Sequence, residues 1–406
     1  MKILHTSDWH LGKRLDNFSR HEEQVAVLNE ICTIADTEKA DAIIIAGDLF
    51  DTFNPPTDAV ELFYKTLKKL SNNATRPVIC IAGNHDSPDR IEAPDPLARE
   101  NGIIFTGYPN SLVPEFELES GLKVLKSNEG FIELKIPNIT YPLRLILTPY
   151  ANELRIKTYL GIEDTEQELR DLLQQKWNET AEKYCDTTGV NILATHLFVT
   201  KKGTEIQEEP DDEKPILHIG GAQAIYSDNF PKQIQYVALG HLHRQQTVDT
   251  QPCPIVYSGS PLSYSFGESN QKKYVMLIDA EPEKNAKVRE IELFAGKKLI
   301  RIKCHGVDDA LLCLQQNKEH LVELTLLTDN YLNAADKKAL HNAHEGIISI
   351  IPEVTKANSD DTKKGRTIDL TKNREALFKE YFLHSKGQEV SNELLDLFKE
   401  IVAEDN

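Results

Sequence analysis

Ala42-Ile43-Ile44-Ile45-Ala46-Gly47-Asp48 is the stretch that decides the fold. Five apolar residues run without interruption, and three are isoleucine, which suits a strand buried on both faces of a sheet. A glycine ends the run and an aspartate follows at once. Scaffold is followed directly by chemistry.

The same layout returns four times. Ile3-Leu4-His5-Thr6 precedes Asp8-Trp9-His10, and Val78-Ile79-Cys80-Ile81-Ala82 precedes Gly83-Asn84-His85-Asp86. Val190-Asn191-Ile192-Leu193-Ala194 leads to Thr195-His196, and Tyr236-Val237-Ala238-Leu239 leads to Gly240-His241-Leu242-His243. Between the early segments lie helical patterns. Glu22 to Ile34 carries Val25, Leu28, Ile31 and Cys32 on one face, and Val60 to Leu70 carries Leu62, Phe63, Leu67 and Leu70. Strand-helix-strand alternation predicts an α/β sheet whose functional loops follow the carboxyl ends of its strands. All five motifs lie at such ends, so one shared site is expected.

Further along, strands dominate: Gly130 to Lys135, Leu143 to Thr148, Ile255 to Ser258, Tyr274 to Asp279 and Val288 to Phe294, with a helix over Glu166 to Lys183. They imply a second sheet packed on the first, giving an α/β two-sheet sandwich flanked by helices over residues 1–296. From Lys297 a new pattern starts, with strands at Leu299 to Cys304, Leu321 to Leu327 and Ile347 to Ile351 and helices at Val307 to Leu314 and Asn333 to His344. It reads as a small α/β domain over 297–356. Residues 357–366 have linker composition, and 367–406 form a helical tail with amphipathic segments at Asn373 to His384 and Asn392 to Ala403. Such segments expose more apolar surface than a free tail should, unless they dock on a partner or fold back.

Composition narrows the function. The 406 residues suit two or three domains. A formal charge of −18 argues against strong, unaided binding of duplex DNA, although two divalent cations would add about four positive charges at one cleft. No apolar run approaches the roughly 20 residues of a membrane span. Met1-Lys2-Ile3-Leu4-His5 runs straight into the first motif and leaves no room for a signal peptide, so a cytoplasmic location is expected. The six cysteines include no C-x-x-C pair and read as buried, reduced thiols. No P-loop string occurs, which leaves ATP binding in this chain unsupported.

The donors converge on a dinuclear site. Asp8 and His10, two apart, can chelate one ion, Asp48 can bridge two, Asn84 offers a carbonyl oxygen, and His196, His241 and His243 supply nitrogen. Hard oxygen and imidazole donors without thiolates suit Mn²⁺, Fe²⁺ or Zn²⁺ better than Ca²⁺. A two-metal phosphodiesterase follows. Any one pair alone would fit an ordinary core histidine equally well; five motifs in order do not.

The series Asp-x-His, Gly-Asp-x-x-Asp, Gly-Asn-His-Asp, lone His, Gly-His-x-His resembles the calcineurin-like metallophosphoesterase superfamily. Thr6 to Gly12, Gly47 to Asp51, Gly83 to Ser87, Gly240 to His243, Ser258-Gly259-Ser260-Pro261 and Ser265-Phe266-Gly267-Glu268 are similar to its DNA-nuclease branch, counterpart of the meiotic-recombination nuclease. The resemblance covers essentially the whole chain and makes the 297–356 segment a capping domain. It implies Asp8, His10, Asp48 and His243 around one Mn²⁺, and Asp48, Asn84, His196 and His241 around the other. His85 is implied as the non-ligand catalytic histidine, in keeping with the proton that a leaving alkoxide needs.

The resemblance also implies 3′→5′ double-strand exonuclease and single-strand or hairpin endonuclease activity. An ABC-type ATPase with a long coiled coil is the implied partner, held by the tail. A homodimer would pair through Glu22 to Ala35 and Val60 to Leu70.

Softer candidates remain two-sided. Asp86 either orients His85 or is a turn carboxylate, and Asp51 suits a turn cap. Lys13, Arg14, Arg20, Arg90, Lys201, Lys202 and Arg244 flank the motifs and are either DNA-phosphate contacts or ordinary surface charge. Tyr264 and Phe266 suit core packing better than base stacking. The rival functions are a small-molecule or cyclic-nucleotide phosphodiesterase and a non-catalytic DNA-end scaffold.

Overall fold

In a computed structural model, which describes residues 1–150, 166–204, 225–269, 271–328 and 332–354 with positions 377–379, 381, 382, 395 and 398 beyond, two sheets face each other across an apolar layer. In the first, β1 (Lys2–Thr6), β2 (Ala42–Ala46) and β3 (Val78–Ile81) run parallel, with Ile103–Thr106 beyond β3. Lys273–Asp279 pairs antiparallel with β1, and Lys287–Leu293 closes that edge. In the second sheet β4 (Val190–Thr195) lies between β5 (Tyr236–Leu239) and Leu143–Thr148, all parallel, and Ile255–Tyr257 extends the run. Antiparallel strands form its edges, Gln246–Asp249 on one side and Phe131–Lys135 with Lys123–Asn128 on the other. The two-sheet sandwich is therefore present, with the five motif strands divided three to two between the sheets.

Side-chain alternation explains why β2 is apolar throughout. Ala42, Ile44 and Ala46 face the second sheet, where they meet Ile192, Ala194 and Ala238. Ile43 and Ile45 point the other way, toward Val27, Leu28 and Ile31 of α1 (His21–Thr37) and Phe63 and Leu67 of α2 (Thr57–Leu70). A strand with period two and cover on both sides needs a continuous apolar run. The second sheet repeats the arrangement: Leu193 and Val237 pack outward against Leu173 and Trp177 of α3 (Glu166–Tyr184). Each such side chain contributes about 1.5–3 kcal/mol of transfer free energy.

The small sheet at the end of the described chain runs Leu299–His305, Leu321–Thr328, Ile347–Val354, covered by α4 (Gly306–Gln316) and α5 (Ala334–Ala343). It has its own core of Leu314, Val322, Leu324 and Leu340. Leu299 and Leu321 also pack on Leu15 and Phe266 from the main body. The expected boundary at 297 thus marks a change of sheet inside one compact unit, Met1–Glu353. Val354–Asn406 forms a second unit. The linker at 357–366 and most of the tail lie outside the described residues. At described tail positions the chain is helical, and Phe378 stacks on Phe398 with ring centroids 4.1 Å apart. Among the described residues no helix is long and apolar enough to cross a membrane.

Candidate metal centre

The strand ends bring five loops together. Asp8 N–H donates to the Gly47 carbonyl at 3.0 Å and His10 N–H to the Asp48 carbonyl at 3.0 Å, lacing the first loop to the second. Four of the seven expected ligands have left-handed backbone: Asp8 at φ 53°, His10 at 44°, Asp48 at 50° and His241 at 110°. Non-glycine residues held there cost about 1–3 kcal/mol each and persist only where their surroundings enforce them. Two of the motif glycines are required by crowding. A Cβ on Gly83 would lie 2.1 Å from Asp48 Oδ1, and one on Gly240 would lie 1.8 Å from the Ala46 carbonyl oxygen. Both glycines let a following ligand approach backbone or carboxylate that any side chain would displace.

The seven candidate donors lie around one cavity or within reach of it. Asp48 Oδ2 lies 3.5 Å from His10 Nε2 and 3.4 Å from His196 Nε2, between the two groups of donors. On one side His10 Nε2 is 2.9 Å from His243 Nε2, and ligand atoms of Asp8, His10 and His243 all lie within 4.8 Å of one another. On the other, Asn84 Oδ1 is 2.9 Å from His196 Nε2 and 3.3 Å from His241 Nδ1. The His196 Nδ1–H donates to the Ala46 carbonyl at 2.8 Å, which aims Nε2 into the site.

The electrostatics fit divalent cations. Burial opposes charge on His196, but Asp48 and Asp8 raise it to about 9, so positive charge is drawn to that point. Burial likewise opposes charge on Asp48, yet His196 and His10 hold its carboxyl well below the usual range. Burial pushes the Asp8 carboxyl up, with His196 and His243 pulling the other way. His10 Nδ1 is buried and makes no hydrogen bond. A concave set of buried oxygens and imidazole nitrogens that attracts positive charge suits the hard and borderline metals.

Supporting residues hold the donors. Glu268 lies behind His243, with Oε1 3.3 Å from Nδ1, and accepts the Tyr264 N–H at 3.0 Å. Burial opposes its charge, but Lys273, in direct contact, and His243 hold the carboxyl far down. A carboxylate on the far nitrogen fixes the tautomer that turns Nε2 toward a metal. The motif string containing Glu268 was legible, whereas its role needed the fold. His85 Nδ1–H donates to the Asp51 carbonyl at 2.8 Å, and the His85 ring stands perpendicular to that of His10 with centroids 4.7 Å apart.

Asp86 departs from the orienting role considered for it. Its carboxylate accepts N–H groups of Leu49 at 3.0 Å, Phe50 at 3.0 Å and Gly83 at 2.8 Å, pinning the second motif loop to the third. Asp51, not Asp86, supplies the Nδ1 acceptor of His85. The Asp51 carboxylate itself lies 3.3 Å from Lys13 Nζ and 3.7 Å from His10 Nδ1.

Residues 1–245 match the family model for calcineurin-like phosphoesterases. Over 99% of its length the chain is 35% identical to the SbcD component of the nuclease SbcCD of Bacillus subtilis, covering 98% of that protein. The chain belongs to the SbcD family of calcineurin-like phosphoesterases. It is 31% identical to the SbcD protein of Rhodobacter capsulatus, covering 75% of this chain and 72% of that one. The corresponding figures for the Staphylococcus epidermidis SbcD are 32%, 69% and 66%. Membership makes the chain a metal-dependent phosphoesterase.

Around this SbcD-family site the basic candidates separate. Lys13 lines the metal cavity together with His85. Arg14, Arg90, Lys201, Lys202 and Arg244 are exposed; Arg90 donates to Asn54 Oδ1 at 2.8 Å and Lys201 to Asp249 Oδ1 at 3.2 Å. Arg20 is the correction. It is 1% exposed, donates to both Glu23 oxygens at 2.7 and 3.0 Å, and reaches the Ser263 carbonyl at 2.7 Å. Its guanidinium joins α1 to the Ser263 loop and does not face a ligand in solution. Tyr264 is buried against the His10 and His243 rings, with its hydroxyl on the Trp9 carbonyl, and Phe266 packs on Leu299. Both are core.

Proposed function

We propose that this chain is a Mn²⁺-dependent DNA nuclease subunit, a 3′→5′ double-strand exonuclease and a single-strand or hairpin endonuclease. It acts with an SbcC-type ABC ATPase on DNA breaks and hairpins in the bacterial cytoplasm. The observation that carries the reading is Asp48 Oδ2 set between His10 and His196, with His85 at the rim of the same cavity. The choice of DNA rests on likeness, over nearly the whole length of both chains, to a protein named as part of a nuclease.

Asp8, His10, Asp48 and His243 would hold one ion, and Asp48, Asn84, His196 and His241 the other. When bound, two divalent ions supply the positive charge that grips the phosphodiester and acidify the attacking water. The protein supplies position and protons. His85, with Nδ1–H committed to the Asp51 carbonyl, presents Nε2 to the departing 3′ oxygen as general acid. Lys13, which lines the cavity, would take a non-bridging phosphate oxygen. Arg14, Arg90, Lys201, Lys202 and Arg244 would carry the flanking backbone. With a formal charge of −18, firm grip depends on a second copy, through α1 and α2, and on the ATPase, through the tail helices.

Purified protein with Mn²⁺ on labelled duplex and hairpin DNA, beside a small phosphodiester, with and without the ATPase, tests this. Cleavage of DNA stimulated by the ATPase is expected. Cleavage of the small ester alone would sink the nuclease reading, and no cleavage of either would favour a scaffold.

A further inference from the structure

The small sheet holds a second donor cluster, remote in sequence from the seven expected ligands. Asp309 and Cys313 stand one helical turn apart on α4, the i, i+4 spacing that places two side chains on one face. That face meets Cys304, near the end of the strand Leu299–His305. The two sulfurs and a carboxylate oxygen all lie within 4.8 Å of one another. The His305 N–H donates to Asp309 Oδ2 at 2.9 Å, fixing the carboxylate over the start of the helix. Cys304 is fully buried, Cys313 is half-buried and Asp309 is exposed, so the cluster runs from core to surface.

Two chemistries use paired thiols, and the carboxylate chooses between them. A redox pair needs a reactive thiolate. Here the Asp309 carboxylate stands beside both sulfurs, and a negative charge there disfavours a free thiolate. A cation reverses that balance, because it binds both thiolates and is attracted by the carboxylate. Two sulfurs with one oxygen match soft-to-borderline divalent ions, and the exposed side leaves a fourth position for water.

We propose that Cys304, Cys313 and Asp309 form a separate site for a thiophilic divalent cation of the zinc class, clipping the strand Leu299–His305 to α4. Binding exchanges two thiol protons for one M²⁺, and both protons leave to solvent. No electron is transferred. The ion ties the helix to its sheet at the point where the local core meets water.

The dinuclear centre contains only nitrogen and oxygen donors, which makes a sulfur-specific readout decisive. The full chain, reduced and stripped with chelator, is titrated with Co²⁺ while near-ultraviolet thiolate-to-cobalt charge transfer is followed. A band that reaches about two thiolates' intensity and collapses on adding Zn²⁺ is expected. Cys313→Ser and Cys304→Ala, the latter keeping the buried position apolar, should each remove at least about half of it. Asp309→Asn, on the surface, should weaken Co²⁺ affinity about tenfold or more at that band while leaving phosphodiester cleavage unchanged. Absence of the band in the reduced wild-type chain, or an equal band in the double cysteine variant, would overturn the proposal.

Discussion

The Nδ1 atom of His85 lies 2.8 Å from the main-chain carbonyl oxygen of Asp51. Because the acceptor is backbone, its position follows from the loop itself, which Asp86 pins through the amides of Leu49 and Phe50. His85 thereby keeps one nitrogen committed and the other available to a substrate. His85→Ala should lower phosphodiester cleavage by about 10²–10⁴-fold, the usual range for a lost general acid. Mn²⁺ affinity, measured by calorimetry, should stay within about twofold of wild type. Wild-type cleavage by that variant would remove His85 from the mechanism.

Glu268 stands behind His243 at 3.3 Å and is held by Lys273. Outer partners of this kind commonly contribute about 10–100-fold in metal affinity or activity. Glu268→Gln should therefore raise the Mn²⁺ concentration for half-maximal activity by about tenfold or more. Activity at saturating Mn²⁺ should largely recover. An unchanged Mn²⁺ dependence would show that His243 needs no such support.

Gly83 leaves no room for a Cβ beside Asp48 Oδ1, at 2.1 Å. Gly83→Ala must displace either the carboxylate or the Asn84 loop. Cleavage should fall at least about tenfold even in excess Mn²⁺, since Asp48 or Asn84, both expected ligands, has moved. Unchanged kinetics would mean that the loop yields without cost.

Arg20 and Glu23 form a buried pair. Removing one partner of such a pair typically costs about 3–5 kcal/mol, because the other charge is left buried and uncompensated. Arg20→Ala should lower unfolding free energy in urea by that order. The KM for DNA of the folded fraction should not change. A large KM effect at unaltered stability would restore Arg20 as a substrate contact.

His5 is buried, with Nδ1 2.9 Å from the Tyr236 hydroxyl. Burial depresses it from 6.5 to about 3, a backbone partner at Leu239 opposing. The unfolded chain thus binds a proton that the folded chain refuses between those values. Stability is complete above the unfolded value and is lost as pH falls through 6.5 toward 3, with a slope of at most about 1.4 kcal/mol per pH unit from this group. Urea titrations in excess chelator should give a flatter curve for His5→Gln than for wild type between about pH 6 and 4. Parallel curves would mean that His5 takes up its proton in the folded state.

The motif strands were legible because their evidence is local. Ile43 to Ile45 announce burial on both faces, and Gly47-Asp48, Gly83-Asn84 and Gly240-His241 place a ligand directly after a crowded turn. Helices α1 and α2 were legible from one apolar face each. The strands Lys123–Asn128 and Gln246–Asp249 were not anticipated: both are sheet edges with mixed polarity, and pairing makes them strands. Arg20 looked like a surface cation beside a motif, since nothing near it in sequence tells that Ser263 will cover it.

By itself, the amino-acid sequence determined the expected donor set, its order and its chemistry, because residue type and strand-end spacing are properties of neighbouring residues. Tertiary structure alone decided that the donors come from two sheets, with β1, β2 and β3 on one and β4 and β5 on the other, and that Asp48 Oδ2 lies between His10 and His196. It also decided which of Asp51, Asp86 and Glu268 holds which group. Those relations join residues distant in the chain, and only packing the two apolar faces together sets the distances between their loops.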